Sequence, residues 1–145
     1  MGIVYRIDRE IGITYVVWDG KVSDEEFLDH TRRMLADPDW PPAGMKHFID
    51  VTSLASFDLV SIKAVQESAA MWDALGERVR EMQIVMVADK MFLRALVFNT
   101  LVPSNSLRIM LMHTIPTASV WLGVDPGETE RALQALRVEA RAVKA

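Results

Sequence analysis

Residues 46–72 place several hydroxyl and carboxylate side chains between a predicted strand and a predicted helix. The pattern predicts a short buried strand at 48–51, a polar loop, and an amphipathic helix. Ligands of α/β proteins often bind where a strand's carboxyl end leads into a helix N-terminus, because free backbone N–H groups converge there. The polar side chains available at this point are Asp50, Thr52, Ser53, Ser56, Asp58 and Ser61. The loop contains no glycine for a phosphate cradle, and it contains no histidine or cysteine.

The three histidines do not form a metal-binding pattern. His30, His47 and His113 are far apart in the sequence and belong to different predicted elements, and the chain has no cysteine. Metal sites usually draw paired ligands from a short spacing. We therefore predict no metal and no cofactor. His113, at the carboxyl end of a predicted strand, is the histidine that a ligand is expected to reach.

The sequence also lacks the usual catalytic motifs. It contains no G-x-S-x-G nucleophile elbow and neither of the glycine-rich nucleotide-binding patterns, G-x-G-x-x-G and G-x-x-x-x-G-K. We therefore predict that the protein is not an enzyme. The alternative is an enzyme that uses Asp50, Asp58 or His113, which requires a pocket that holds at least two of these three side chains.

Composition and charge indicate one soluble globular domain. Of the 145 residues, 50% are hydrophobic and 25% are charged, and the formal net charge is −4. This charge argues against nucleic acid or an anionic membrane as partner, since both attract basic surfaces. No window approaches 18 uncharged apolar residues, so no transmembrane segment is predicted. The N-terminus lacks the features of a secretory signal, and we expect a cytoplasmic protein with a single domain at 1–145.

The elements follow in the order β-β-α-β-α-β-α-β-α-α. Alternation and apolar runs predict strands at 3–9, 13–17, 48–51, 82–88 and 108–113, with Asp19-Gly20 ending or bending the second strand. Ser23 with Glu26 forms a capping box for the first helix, and Asp58 or Ser61 caps the second. Residues 126–145 form a C-terminal helix. The order predicts an α/β fold with a mixed, mostly parallel sheet of about five strands.

Both faces of this sheet are predicted to be apolar. One face is expected to carry Val16, Trp18, Phe48, Val85, Val87, Met110 and Met112. The other is expected to carry Ile13, Tyr15, Val17, Ile49, Ile84, Met86 and Ile109. If the helices cover only one face, a partner chain must cover the other.

Residues 91–102 predict a helix that is apolar nearly all round. Such a helix is deeply buried, or it covers its outer face with another molecule. It is therefore either a core helix or a candidate surface for a dimer or an apolar ligand. The residues of this candidate surface are Phe92, Leu93, Leu96, Val97, Phe98 and Leu101.

Two segments carry a resemblance to a known family. Residues 49–65 read IDVTSLASFDLVSIKAV, and residues 121–125 read WLGVD. In this order of elements, the chain resembles the STAS domain of the bacterial anti-sigma-factor antagonists, and most of all the SpoIIAA-like proteins. The resemblance covers residues 3–125 and implies the STAS fold.

The resemblance also locates the position of a phosphorylation switch. In the antagonists, an Asp-Ser-Ser-Gly-like turn after the third strand carries the serine that a partner kinase phosphorylates. Here the aspartate matches Asp58, the serine positions fall on Leu59 and Val60, and the glycine position falls on Ser61. Ser56 and Ser61 lie near the phosphoacceptor position, but neither occupies it.

The resemblance and the apolar segment lead to two hypotheses. The first is a non-enzymatic regulatory or protein-interaction domain that forms a homodimer. The alternative is a carrier of a small apolar or lipid-like ligand, with its pocket between residues 91–102 and the sheet.

Overall fold

The strands predicted at 3–9 and 13–17 form an antiparallel hairpin at one edge of the sheet in the computed structural model. The structure describes residues 2–56, 60–90, 95–96 and 108–144. Within these residues the strands are β1 (Ile3–Asp8), β2 (Ile13–Lys21), β3 (Lys46–Ser56), β4 (Gln83–Val87) and β5 (Ile109–Met112). They lie in the order β1-β2-β3-β4-β5. β1 is antiparallel to β2, and every other neighbouring pair is parallel. The predicted mixed, mostly parallel sheet is confirmed.

β2 and β3 extend further than the sequence predicted. Asp19 and Gly20 bend β2 but do not end it: after a shift in register, Asp19 pairs with Ser53 and Gly20 pairs with Leu54. Gly20 has a φ of 68°, a conformation that costs glycine little. The first half of the predicted polar loop is therefore part of a strand.

Four helices have defined bounds among the described residues. They are α1 (Asp24–Ala36), α2 (Ile62–Asp73), α3 (Ile115–Leu122) and α4 (Pro126–Lys144). The side chains of Ser23, Ser61 and Thr114 accept the capping hydrogen bonds of α1, α2 and α3. A short 3-10 helix, Gly76–Arg78, follows α2. No helix in the described part of the chain is long and apolar enough to span a membrane.

The helices cover both faces of the sheet. α1 and α2 pack on one face and α3 and α4 on the other, and each face has its own apolar core. The sequence analysis expected a partner chain only if the helices covered one face of the sheet. Because helices cover both faces, that reason for a partner chain does not apply to this fold.

The predicted assignment of β2 side chains to the two faces was wrong. Val16 pairs with Ile49, and Tyr15 pairs with Phe48. Paired residues on neighbouring strands project to the same face, so Val16 and Trp18 lie with Ile49 on the side of α1 and α2.

The candidate surface at residues 91–102 lies almost wholly outside the described residues. Ala95 and Leu96 are described, and both are helical. Ala95 is buried in the core beneath α1 and α2, whereas Leu96 is 43% exposed. Phe92, Leu93, Val97, Phe98 and Leu101 lie outside the described residues.

Candidate functional site

A cavity of about 130 Å³ lies between the sheet and the helices α1 and α2. The sheet contributes Val16, Trp18, His47, Ile49, Ile84, Met86, Ile109 and Leu111. The helices and their neighbours contribute Phe27, His30, Thr31, Met34, Val60, Val65, Ser68, Ala69, Trp72 and Ala95. Ser68, Ala69 and Ala95 are the short side chains at the helical walls of this space. The lining contains no aspartate, glutamate, lysine or arginine among the described residues.

The cavity lies partly where the sequence predicted an apolar pocket. The prediction placed that pocket between residues 91–102 and the sheet, and Ala95 of this segment does line the cavity. The other described helical walls come from α1 and α2. From α2, the side chains of Val65, Ala69 and Trp72 line this space.

Two histidines that are distant in the sequence meet in this lining. His30 comes from the buried face of α1, and His47 comes from β3, two residues before Ile49 and on the same side of the sheet. His47 lies edge-on to the ring of Trp72, with 5.3 Å between ring centroids. His30 lies edge-on to Tyr5 at 5.7 Å. The prediction that His113 is the histidine a ligand can reach overlooked this pair.

Neither histidine has a hydrogen-bond partner for its Nδ1 atom within the described part of the chain. His30 is 5% exposed and His47 is 1% exposed, so solvent does not satisfy these atoms. Tyr5, the aromatic neighbour of His30, donates its hydroxyl proton to Asp37 Oδ2 at 2.8 Å. Buried polar atoms are hydrogen-bonded in most native proteins, so these two unpartnered nitrogens are exceptions.

Burial keeps both imidazoles neutral at pH 7. Loss of solvation lowers the pKa of His30 to about 4, and the nearby Arg33 lowers it further while Asp29 opposes the change. Loss of solvation lowers the pKa of His47 to about 3, with an additional contribution from His30.

The other two polar groups of the lining satisfy each other. Thr31 Oγ1 donates to the carbonyl oxygen of Phe27 at 3.1 Å and lies 3.0 Å from Ser68 Oγ. Because the Thr31 proton is used, Ser68 must donate its own proton to Thr31. Neither hydroxyl has a proton left for a histidine or a ligand, so Ser68 and the histidines do not form a nucleophile–base pair.

The residues near the family's phosphorylation switch have structural roles or lie outside the described residues. Ser56 is the last residue of β3, and Asp58 is outside the described residues. Ser61 caps α2 by accepting from Ala64 N at 3.1 Å, and its hydroxyl donates to Asp24 Oδ2 at 2.7 Å. The Ser61 hydroxyl and backbone N–H lower the pKa of Asp24. This contact joins the start of α1 to the start of α2.

Asp50 is buried on the face of the sheet that lies opposite the cavity. Its Oδ1 accepts from Thr52 N and Thr52 Oγ1, and its Oδ2 accepts from Arg137 Nη2 at 2.6 Å and Nε at 3.2 Å. Arg137 also donates to Glu130 and Gln134. His113 is exposed after β5. The cavity therefore contains neither of these two groups, and Asp58 lies outside the described residues.

The described residues also offer no cluster of three or more histidine or carboxylate side chains that could hold a metal ion. The polar groups that the fold does bring to one lining, His30 and His47, lie on two consecutive elements, α1 and β3, which a loop connects. Each of the two histidines lies on the otherwise apolar face of its predicted helix or strand, and this pattern in the sequence could have identified them.

No protein-family model and no curated protein matches the chain significantly. Among solved structures, the chain is similar to the crystal structure of an uncharacterised protein of the DUF3478 family, with a SpoIIAA-like fold, from Shewanella loihica PV-4. The two are 19% identical, the match covers 83% of this chain and 94% of that chain, and the TM-score is 0.53. Similarity at this level concerns the fold and does not transfer a function. The chain thus has the SpoIIAA-like fold that its resemblance to STAS domains implied.

Proposed function

We propose that this protein is a non-enzymatic binding domain that holds a small apolar molecule in the cavity beneath α1 and α2. The observation that carries the proposal is a space of about 130 Å³ whose lining is apolar apart from two neutral histidines and one hydroxyl pair. Ligand sites are typically apolar concavities with few polar groups. A cavity of roughly 150 Å³ with apolar walls is large enough to bind benzene.

The lining gives no support to catalysis. A general base works best when its pKa is near the working pH, and the pKa values of His30 and His47 are about 4 and about 3. The Ser68 hydroxyl is the candidate nucleophile of this lining, and it donates its proton to Thr31 Oγ1. These groups favour the binding of a ligand without catalysis.

The proposal is tested by titrating the protein with toluene and following methyl resonances by NMR. We expect saturable shifts at Ile49, Ile84, Ile109 and Leu111, whose side chains line the cavity. The exposed methyl groups of Val120 and Val138 serve as matched controls and should not shift. An absence of shifts at the cavity methyls, or equal shifts at the exposed ones, would refute the proposal.

A homodimer is a second candidate, and exposed apolar side chains on the other face of the sheet favour it. Met110 of β5 projects to the face that carries α3, and it is 45% exposed. On α3, Val120 is 71% exposed and Trp121 is 40% exposed. A partner that covers these side chains would remove apolar area from water. Such a dimer is compatible with a regulatory or protein-interaction role.

Light scattering at dilute concentration tests this second candidate. If a dimer forms through α3, Trp121→Lys should convert it to a monomer of 16.3 kDa. If it forms instead through residues 91–102, Phe98→Asp should do so. A wild-type protein that is monomeric at all concentrations removes the candidate.

A further inference from the structure

The buried side-chain atoms that lack a hydrogen-bond partner among the described residues all lie on one side of the sheet. They are Thr14 Oγ1, His30 Nδ1, Trp40 Nε1 and His47 Nδ1. His30 and His47 line the cavity, and Trp40 belongs to the apolar core beneath α1 and α2. Thr14 pairs with His47 on the neighbouring strand, so both project toward α1 and α2. The unpaired polar atoms and the cavity therefore share one side of the sheet.

The buried polar side chains that the structure describes on the other side are hydrogen-bonded. Asp50 pairs with Arg137, and Thr129 Oγ1 donates to the carbonyl oxygen of Asp125 at 2.8 Å. Ser119 Oγ donates to a carbonyl oxygen of its own helix, also at 2.8 Å. Exposure of this side to water would therefore give no new partner to an unpaired side-chain atom.

The aromatic contacts of the unpaired side chains do not replace the missing hydrogen bonds. Trp40 and His47 lie edge-on to the ring of Trp72, with centroid distances of 5.2 and 5.3 Å. His30 lies edge-on to Tyr5. A polar hydrogen bonds an aromatic face more weakly than it bonds an oxygen atom. Water would therefore satisfy these atoms better than their present neighbours do.

Few buried apolar side chains hold α1 on the sheet. Its buried residues are His30, Thr31 and Met34, and only Met34 is apolar. Its other core contacts come from three partly buried side chains, Phe27, Leu28 and Leu35. By contrast, α4 buries Ala132, Leu133, Leu136 and Ala140. Because burial of apolar area is the main force that holds an element in place, α1 is attached less firmly than α4.

We propose that α1 and the loop at residues 37–45 form a lid, which opens by local unfolding while the sheet and α4 remain folded. Opening exposes His30 and Trp40, which belong to the lid, and admits water to the side of the sheet that carries Thr14 and His47. A buried polar atom without a partner gains hydrogen bonds when it reaches water, which favours the open form. Local openings of this kind occur in elements with few buried apolar contacts, and they cost less than global unfolding.

The lid provides a route into the cavity. α1 contributes four side chains to the cavity wall, Phe27, His30, Thr31 and Met34, so its departure uncovers the space. A ligand that binds only the closed form stabilises that form and suppresses the opening. This use of the lid rests on the proposed binding function, whereas the opening itself does not.

Hydrogen exchange of the wild-type protein at pH 7, without ligand, tests the opening. The amides to compare are those of buried helical residues, Thr31 and Met34 in α1 and Leu133 and Leu136 in α4. After correction for intrinsic rates, the α1 amides should exchange at least about tenfold faster than the α4 amides. Their exchange should also depend less on urea, because the opening exposes less surface than global unfolding. Equal protection and equal urea dependence in the two helices would overturn the proposal.

A variant in α4 separates opening of the lid from global unfolding. Ala135→Gly weakens α4 at an exposed position and should speed exchange of the α4 amides about fivefold. The α1 amides should keep their wild-type rates, because α4 is folded in both the closed and the open form of the lid. If Ala135→Gly speeds exchange equally in both helices, α1 opens only with the whole domain and the proposal is wrong.

A variant in the lid tests the cause of the opening. His30→Leu removes an unpaired polar atom from the closed lid and should slow exchange of the α1 amides about tenfold. The matched control is His113→Leu, at an exposed histidine, which should leave α1 exchange unchanged. Unchanged α1 exchange in His30→Leu would contradict the role given to the unpaired atoms.

Exchange in the presence of toluene connects the lid with the proposed function. Saturating toluene should slow exchange of the α1 amides, because it binds the closed form. If α1 opens locally and toluene does not bind, the binding function fails while the lid stands. If toluene binds and α1 is protected to the same degree as α4, the lid fails while the binding function stands.

Discussion

Acidification from pH 7 to pH 5 should sharply lower the free energy of unfolding, because His30 and His47 are neutral in the folded protein. Their folded pKa values are about 4 and about 3, below the ordinary value of 6.5 that applies to the unfolded chain. Between these values and pH 6.5, the unfolded chain binds more protons than the folded chain. Stability therefore falls as the pH falls through this window.

The size of the effect follows from these pKa values. At pH 5, each histidine of the unfolded chain is almost fully protonated, and each histidine of the folded chain is almost fully neutral. The two together then remove about 4 kcal/mol of stability, at about 1.4 kcal/mol per pH unit below 6.5 for each histidine. This is a large fraction of the stability of a typical domain, about 5–15 kcal/mol. Asp24, whose pKa is lowered from 3.8, titrates below this window.

Urea unfolding followed by circular dichroism at pH 7, 6 and 5 measures this loss. The control is the double variant His30→Leu/His47→Leu, which has no buried imidazole to protonate and should lose much less stability over the same range. Its folded state should tolerate the change, because apolar side chains of similar volume replace unpaired polar atoms. Equal losses in the two proteins would show that the buried histidines are not the cause.

Two further predictions test other parts of the fold. Arg137→Met should cost about 3–5 kcal/mol in urea unfolding because it leaves Asp50 buried and unpaired, and Asp50→Leu added to it should recover much of the loss. The control Arg80→Met breaks an exposed pair with Glu77 and should cost less than about 1 kcal/mol; equal costs for Arg137→Met and Arg80→Met would contradict the role given to burial. Ser61→Ala should lower the thermal midpoint by removing a helix cap, a loss of about 1 kcal/mol, whereas Ser61→Thr keeps the hydroxyl and should remain close to wild type. A Ser61→Ala midpoint equal to that of wild type would show that the cap contributes nothing.

The elements that local chemistry controls could be predicted from the sequence. Ser23 and Thr114 satisfy backbone N–H groups within their own first turns. Gly123 adopts a φ of 72° at the end of α3, and Pro126 opens α4. Such signals involve residues only a few positions apart, so they can be read without knowledge of the tertiary structure.

The register of the sheet and the composition of the cavity could not be predicted in the same way. A shift of one residue moves every side chain of a strand to the other face, and the sequence of β2 is apolar on both faces, so nothing local fixes its register against β3. His30 and His47 line one cavity only when α1 packs on the sheet. Asp50 pairs with Arg137, which is 87 residues away in the sequence. Such pairings depend on the packing of whole elements.

Filling the cavity is the most direct test of the claim that this space is a binding site. Ala69 lines the cavity and is 5% exposed, whereas its neighbour Ala70 is exposed on α2. Calorimetric titration with toluene should give saturable one-to-one binding to the wild-type protein and to Ala70→Leu, and no binding to Ala69→Leu, whose larger side chain occupies the space. Absence of binding to the wild-type protein, or unchanged binding to Ala69→Leu, would contradict the proposed function.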